Sequence, residues 1–257
     1  MRILVRTSKW AVWARRFGAL ALPLAAIPVL LHRGHLITSD NFIAIETVAM
    51  ALAAAAIGMA LVAFARLWFT GDQGWGRATV AFVFGTICLL PAAYFAWLAA
   101  STPASPDVST DFAESPPLVS FVESRFIGPE ERERIAAAYP NARSRTYPIE
   151  APQMYDVVGR LVEARGWDVR ATRAPLGPLD TGQYNAVVTT LLGFSQEVAV
   201  RVAGGADGAT VDMRSTSLSA FPDFGENGQR VEAFLLELDN QVTLMLRNAP
   251  AQPVAQD

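Results

Sequence analysis

The sequence predicts an α+β protein in which three membrane-spanning helices precede a soluble domain, whose antiparallel sheet is covered by helices on one face. Hydrophobic residues make up 52% of the 257 residues and charged residues only 18%, which is unusual for a soluble protein. The long apolar runs are confined to residues 1–100. Near the C-terminus, strand-like runs succeed one another without intervening helices, and such succession indicates antiparallel pairing.

Charge is divided unequally between the two parts. Residues 1–100 contain eight basic and three acidic residues, a net charge of +5, whereas the remainder contains 13 basic and 21 acidic residues, a net charge of −8. A basic, apolar first part followed by an acidic second part is typical of a membrane anchor that precedes a soluble domain. The acidic balance argues against nucleic acid as a partner of that domain.

Three apolar runs are candidate membrane spans, at residues 17–31, 42–65 and 78–100. The second and third have about 23 residues each, enough to cross a hydrocarbon core of about 30 Å. The first has only about 15 residues, so it crosses only if the bilayer thins or Arg16 and Arg33 snorkel. No small-residue cleavage site follows this run, and we therefore expect it to remain in the mature protein.

The basic residues predict the orientation in the membrane. Five of them lie before or within the start of the first span, and Arg66 and Arg77 follow the second span, whereas only Arg33 lies between the first two spans. Because short cytoplasmic segments are enriched in basic residues, the N-terminus is expected in the cytoplasm. We therefore expect a multi-pass protein of the inner membrane whose C-terminal domain is periplasmic. If the first segment does not cross the bilayer, this orientation reverses.

Polar residues near the spans are candidate functional groups. Glu46 lies about one turn into the second span, where an ionisable residue is a functional candidate by default, although it can also reach headgroups or water. His32 and His35, with Asp40, have a spacing that metal ligands can use. Two ligands on a loop make a poor site, so we expect no metal and no other cofactor. The only cysteine, Cys88, lies within the third span.

Small residues on the second span predict close helix packing. Ala56 with Ala60, and Ala54 with Gly58, each form a small-xxx-small pair. Such a face can pack against the protein's own spans or against those of a partner, and packing within the chain is the preferred interpretation.

The remainder divides into a linker, a domain and a tail. Residues 101–117 contain four prolines among Ser, Thr, Asp and Glu, which predicts a semi-extended, poorly ordered linker. Residues 118–249 are expected to form the soluble domain and to fold without the spans, and residues 250–257 to form a disordered tail. Periodicity and helix-end signals predict helices at 129–138 and 151–165, strands at 143–149, 167–172, 183–191, 197–203 and 210–217, and a closing helix that includes residues 231–245.

Several stretches of this domain resemble a known family. They are ARGWDV at residues 164–169, LLGFSQEVAVRV at residues 191–202, and VDMRSTS running into DFGENGQR at residues 211–230. From about residue 139 to residue 246, the chain is similar to the DUF1499 family of uncharacterised bacterial proteins. The resemblance implies the fold and a bacterial cell-envelope context, and it brings no established activity. The family often has a second arginine where this chain has Leu218. The signature residues matched here are Arg214, Ser215, Ser217, Asp223, Gly225, Asn227 and Arg230.

This signature is expected to be structural. Asp223 fits an N-cap of the closing helix with Glu226 at the third helical position, as in a capping box. Gly225 and Gly228 remove side chains where backbones approach closely, and Arg230 is expected to turn back toward Asp223 or the carbonyl groups that follow the last strand. A ligand site in the same stretch remains the alternative.

The residue types narrow the function. The soluble domain contains no histidine and no cysteine, so a nucleophile activated by histidine is not available to it. We therefore expect a non-catalytic envelope domain that binds a partner protein, a lipid or a small ligand. Its expected binding face is the polar side of the sheet, where Arg201, Asp212 and Arg214 alternate with core residues. The alternative is a carboxylate-based hydrolase or transferase of the cell envelope.

Overall fold

The structure is a computed structural model of the chain. It divides into two compact units, which are Met1–Ser101 with Leu191–Phe194, and Thr102–Thr190 with Ser195–Asp257. The predicted tail, residues 250–257, lies outside the described residues. The residues that the structure describes are 6–102, 105–120, 127–219 and 223–248.

Three long helices form the first unit. They are α1 (Lys9–Arg33), α2 (Ser39–Thr70) and α3 (Trp75–Ser101), and each is long and apolar enough to cross a membrane. The helix α1 has 25 residues and begins well before the apolar run at residue 17, so length no longer argues against the first crossing. The three helices therefore indicate insertion in a membrane.

Small side chains let the three helices approach one another closely. A Cβ atom at Gly85 of α3 would lie only 2.6 Å from Ile57 Cγ1 on α2. Ala56 and Ala60 are buried, whereas Ala54 and Gly58 are exposed. The first small-xxx-small pair thus packs within the unit, as preferred, and the second faces outward. Successive layers of the contact are formed by Ala11, Ala63 and Ala78, by Ala14, Ala60 and Ala81, and by Ala21, Ala53 and Cys88.

The second unit is built on one six-stranded antiparallel sheet. Its strand order is β1-β6-β5-β4-β3, and β2 also pairs with β6. The strands are β1 (Asp107–Ser109), β2 (Arg145–Tyr147), β3 (Asp168–Arg173), β4 (Thr181–Thr189), β5 (Ser195–Gly205) and β6 (Gly208–Ser217), and the helices are α4 (Pro129–Ala138), α5 (Ala151–Ala164) and α6 (Glu226–Asn248).

The apolar side of the sheet packs against α5 and α6. Met154 and Leu161 of α5 and Phe234 of α6 are almost fully buried, because each helix places an apolar stripe at helical spacing toward the strands. Alternate residues of the central strands, such as Val200 and Met213, complete this core. The predicted mixed α+β fold with helices on this face is confirmed, and the predicted elements are all present with small shifts at their ends.

The structure corrects the prediction of a poorly ordered linker over residues 101–117. Asp107, Val108 and Ser109 pair with Thr216, Ser215 and Arg214 as the edge strand β1. This segment has few apolar residues because its polar side chains contact a polar face of the sheet, and not because it is disordered. The domain therefore begins before residue 118.

The segment of residues 110–120, which we name the strap, contacts the polar side of the sheet. The Pro117 carbonyl accepts hydrogen bonds from Gln183 Nε2 at 2.7 Å and Asn185 Nδ2 at 2.9 Å. The backbone N–H groups of Val119 and Ser120 donate to the Glu197 carboxylate at 2.7 and 2.8 Å. The sheet thus lies between helices on one side and the strap on the other.

Candidate functional site

Alternation along β6 divides the signature between the two sides of the sheet. Ser215 and Ser217 share the side of Met213, which faces α6, whereas Arg214 points to the side that carries the strap. The side chains of the RSTS sequence therefore belong to two clusters, one on each side of the sheet. We name the cluster of Ser215, Ser217, Asp223, Asn227 and Arg230 the joint.

Asn227 is the centre of the joint. It is fully buried, and its Oδ1 accepts a hydrogen bond from Ser215 Oγ at 2.8 Å. Its Nδ2 donates to Ser217 Oγ at 3.0 Å and to the carbonyls of Pro106 and Ser105 at 3.2 and 3.4 Å. One side chain therefore ties the start of α6 to the end of β6 and to the chain that enters β1.

Asp223 holds the start of α6, although not in the predicted capping box. Its carboxylate accepts hydrogen bonds from Asn227 N at 3.3 Å and from Ser105 N at 3.2 Å. The helix begins at Glu226, so Glu226 is its first residue and not its third, because left-handed residues at Phe224 and Gly225 delay the helix start. Burial raises the pKa of Asp223 above its ordinary value, although amide donors oppose the shift.

Two glycines beside the joint, Gly225 and Gly228, make room for an aromatic ring. A Cβ atom at Gly225 would lie 2.7 Å from the Tyr139 hydroxyl, and one at Gly228 would overlap the Tyr139 ring. Gly225 also has φ 83°, which favours glycine. Neither position has room for a side chain, but the close neighbour is this tyrosine ring and not the backbone that the sequence analysis expected.

Arg230 packs into the joint without bonding Asp223. Its Nη1 donates to Ser215 Oγ at 3.0 Å and to Asn227 Oδ1 at 3.4 Å, and its Nη2 lies 4.0 Å from Glu226 Oε2. Burial lowers the pKa of Arg230, while Glu226 and Asp223 oppose the shift. The side chain therefore turns toward Ser215 and Asn227, which provide its acceptors, and not toward Asp223.

Arg201, Asp212 and Arg214 lie on one polar face of the sheet, as predicted, but their charges are already paired. Arg214 binds Asp107 through Nε at 2.9 Å and Nη2 at 2.5 Å. Arg201 donates from Nη2 to Asp212 at 2.8 Å and to Asp111 at 3.4 Å. The side chains of Arg201 and Arg214 are only 16% and 19% exposed. The strap and β1 therefore supply the anions that a ligand would otherwise provide.

Sequence analysis missed three carboxylates of this face, Asp107, Asp111 and Glu197. Asp107 and Asp111 were assigned to the linker, and Glu197 was assigned to a strand without a role. A signal was available, because Gln183, Asn185 and Glu197 occupy polar positions on one side of adjacent strands. Such a buried polar row requires a covering segment that supplies donors and acceptors.

Glu197 is the most deeply buried carboxylate of the face, with 1% of its surface exposed. Burial by itself raises its pKa. The hydrogen bonds from Ser120, Val119 and Asn185 outweigh that effect and hold the pKa of Glu197 below its ordinary value. The carboxylate is therefore stabilised in its charged form by the strap.

We expect the Glu197→Gln variant to lose less stability in acid than the wild-type protein. A carboxyl group whose pKa is lower in the folded state contributes stability above its unfolded pKa of 4.5, and this contribution is lost as the pH falls through the folded value. Such groups titrate roughly between pH 5 and pH 3. In this range the variant should lose less stability than the wild type. Urea unfolding at several pH values measures this difference, and parallel curves for the two proteins would contradict it.

Glu46 and His32 are polar residues of the first unit, which we name the membrane unit. Glu46 Oε1 is buried and has no hydrogen-bond partner among the described residues. His32 Nε2 lies 3.1 Å from Ser39 Oγ, and the His32 ring stacks on Phe42 with centroids 4.7 Å apart. Within the described ranges, no three His, Cys, Asp or Glu side chains form a group that could hold a metal ion.

Comparison with known proteins gives one match. Residues 105–238 match the family model described as protein of unknown function (DUF1499). No curated protein and no solved structure matches the chain. The matched region begins at Ser105, where the chain enters β1, and it ends within α6, so it includes the strap and the complete joint. Because it covers slightly more than half of the 257 residues, the chain belongs to the DUF1499 family.

Proposed function

We propose that the protein is an integral inner-membrane protein that presents a non-catalytic domain in the periplasm, where this domain binds a partner protein, a lipid or a small ligand of the cell envelope. The observation that carries the proposal is the internal pairing of the domain's buried charged groups. The residues that the sequence singles out hold the sheet, the strap and α6 together. We therefore assign binding to the outer surface of the domain and not to the signature residues.

The hydrogen bonds of the carboxylates support a non-catalytic domain over the carboxylate-based hydrolase or transferase. Asp107 accepts from Arg214 and Thr216, and Asp212 accepts from Arg201, Thr110 and Ser144. Catalytic carboxyl groups must reach a substrate and often have raised pKa values. These two carboxylates face neighbouring side chains, and the lowered pKa of the third, Glu197, disfavours a general acid.

The loop between β3 and β4 is the surface that we assign to binding. Leu176 and Leu179 are 96% and 73% exposed, although the loop itself is fixed. Leu176 N donates to Asp180 Oδ2 at 2.8 Å, and Gly204 N donates to the Asp180 carbonyl at 3.0 Å. An ordered loop that exposes two large apolar side chains is suited to an apolar contact on a partner.

The orientation is supported by the basic residues at the end of the bundle where α1 and α3 begin and α2 ends. Arg15, Arg16, Arg66 and Arg77 lie there, whereas Arg33 lies at the opposite end. Because α3 runs away from the basic end, this distribution supports the proposal that the domain that follows Ser101 lies on the other side of the membrane from the cytoplasm.

A reporter fused after Asp257 tests this orientation. We expect a C-terminal alkaline phosphatase to be active and a C-terminal green fluorescent protein to be dark, since the first needs the periplasm and the second the cytoplasm. The same reporters fused after Gln73, between α2 and α3, serve as the matched control and should give the opposite result. Fluorescence of the fusion after Asp257 would contradict both the orientation and the envelope role.

Photocrosslinking tests the assigned surface. We expect a photoreactive residue at position 176 of the full-length protein to form one discrete adduct in cells, because Leu176 is expected to contact the partner. The control is the same residue in place of Leu236, which is 63% exposed on α6. The mass of the adduct distinguishes a protein from a lipid or a small ligand. Identical adduct patterns at the two positions, or no adduct at position 176, would exclude the loop as the binding surface.

A further inference from the structure

A cavity of about 480 Å³ lies at the basic end of the membrane unit. Positions 12, 15, 16 and 19 of its lining recur at the spacing of one face of α1, and Arg77 comes from the first turn of α3. Arginines from two helices therefore line one cavity. The lining residues are Thr7, Val12, Arg15, Arg16, Ala19 and Arg77.

The positive charge of this cavity is not neutralised by its own lining. Among the described residues, the lining contains three arginines and no acidic side chain. All three arginines are exposed, and Arg16 lies over the Trp13 ring at 5.0 Å from its centroid. Three cationic side chains that line one cavity repel one another, so an anion bound beside them would be favoured.

Tryptophans place the cavity at the level of the lipid headgroups. Trp10, Trp13, Trp68 and Trp75 are 39%, 49%, 77% and 46% exposed, and all lie at the basic end of the three helices. Exposed tryptophans of this kind mark the boundary between headgroups and hydrocarbon. Arg15 lies about 9 Å along α1 from the helix start at 1.5 Å per residue, which is close to the level of Trp13.

We propose that this cavity binds the phosphodiester group of an anionic glycerophospholipid. Arg15 and Arg16 of α1 and Arg77 of α3 donate to the phosphate oxygens, and Thr7 lies beside them at the cavity wall. The α1 stripe continues from Ala19 to Leu22, which is 36% exposed and apolar, so the acyl chains have an apolar surface directly below the arginines. In the orientation proposed above, the lipid belongs to the cytoplasmic leaflet.

Lipid binding to the full-length protein in detergent tests the proposal. Native mass spectrometry is performed with phosphatidylglycerol and with phosphatidylcholine of the same acyl chains. We expect one molecule of phosphatidylglycerol to bind at least about tenfold more tightly than phosphatidylcholine, because phosphatidylcholine has no net charge. Each of Arg15→Gln, Arg16→Gln and Arg77→Gln should weaken phosphatidylglycerol binding about fivefold, as expected for one basic residue near an anionic headgroup.

Arg66→Gln is the matched control, because Arg66 is exposed at the same end of the bundle and does not line the cavity. It should leave the affinity unchanged. Inorganic phosphate, added in excess, should not displace the lipid, and displacement would instead identify a site for free anions. Equal affinity for the two lipids, or an equal loss in Arg66→Gln and in the cavity variants, would overturn the proposal.

Discussion

A fragment of residues 102–248 is expected to fold as a soluble domain, whereas a fragment that begins at Leu118 is expected to remain unfolded or insoluble. The shorter fragment lacks β1 and the start of the strap, so Arg214 loses Asp107 and Asn227 loses the carbonyls of Ser105 and Pro106. Removing one partner of a buried ion pair alone costs about 3–5 kcal/mol. Since a domain has only about 5–15 kcal/mol of net stability, the combined loss removes most of it.

Circular dichroism and thermal unfolding of the two fragments measure this difference. A synthetic peptide of residues 102–117, added to the shorter fragment, is expected to restore part of the folded signal because it supplies β1 and Asp107 again. The same peptide with Asp107→Ala is the control and should restore less. Equal unfolding curves for the two fragments would show that β1 and the strap are attached to the domain without stabilising it.

The sheet was predictable because its central strands have strong local patterns. Apolar residues at alternate positions, Val198, Val200 and Val202 of β5 and Val211 and Met213 of β6, indicate one buried side, and glycines between the strands indicate the turn. The edge strand β1 has only three residues, and its segment has a composition typical of linkers. Its place in the sheet depends on contacts with residues more than 100 positions away, such as Asp107 with Arg214. Local patterns do not report pairs of this kind.

The signature was predictable as a set of residues but not as a set of contacts. The motif marked Asn227 and Arg230, and their structural role stays a prediction that their buried contacts support. The partner of each side chain was not predictable, because Ser105 and Tyr139 reach the joint from distant parts of the chain. The predicted binding face shows the same limit. Alternation correctly placed Arg201, Asp212 and Arg214 on one side, and only the fold shows that the chain pairs them with itself.

Asn227→Ala is expected to lower the free energy of unfolding of the 102–248 fragment by about 3 kcal/mol, because buried hydrogen-bonding groups left without partners cost about 1–3 kcal/mol each. The melting temperature should fall by about 10 °C. Asn227→Asp should be similarly destabilised, since an oxygen would replace the Nδ2 donor that faces the carbonyls of Ser105 and Pro106.

Asn240→Ala is the matched control for this prediction, because Asn240 is exposed on the same helix. The same substitution there should change the free energy of unfolding by no more than about 0.5 kcal/mol. In the full-length protein, the adduct formed at position 176 should persist in Asn240→Ala. It should weaken in Asn227→Ala in proportion to the unfolded fraction, because the joint acts through the fold. If Asn227→Ala unfolds like the wild type and yet abolishes the adduct, the joint is itself a binding site. The signature of the family would then be functional and not structural.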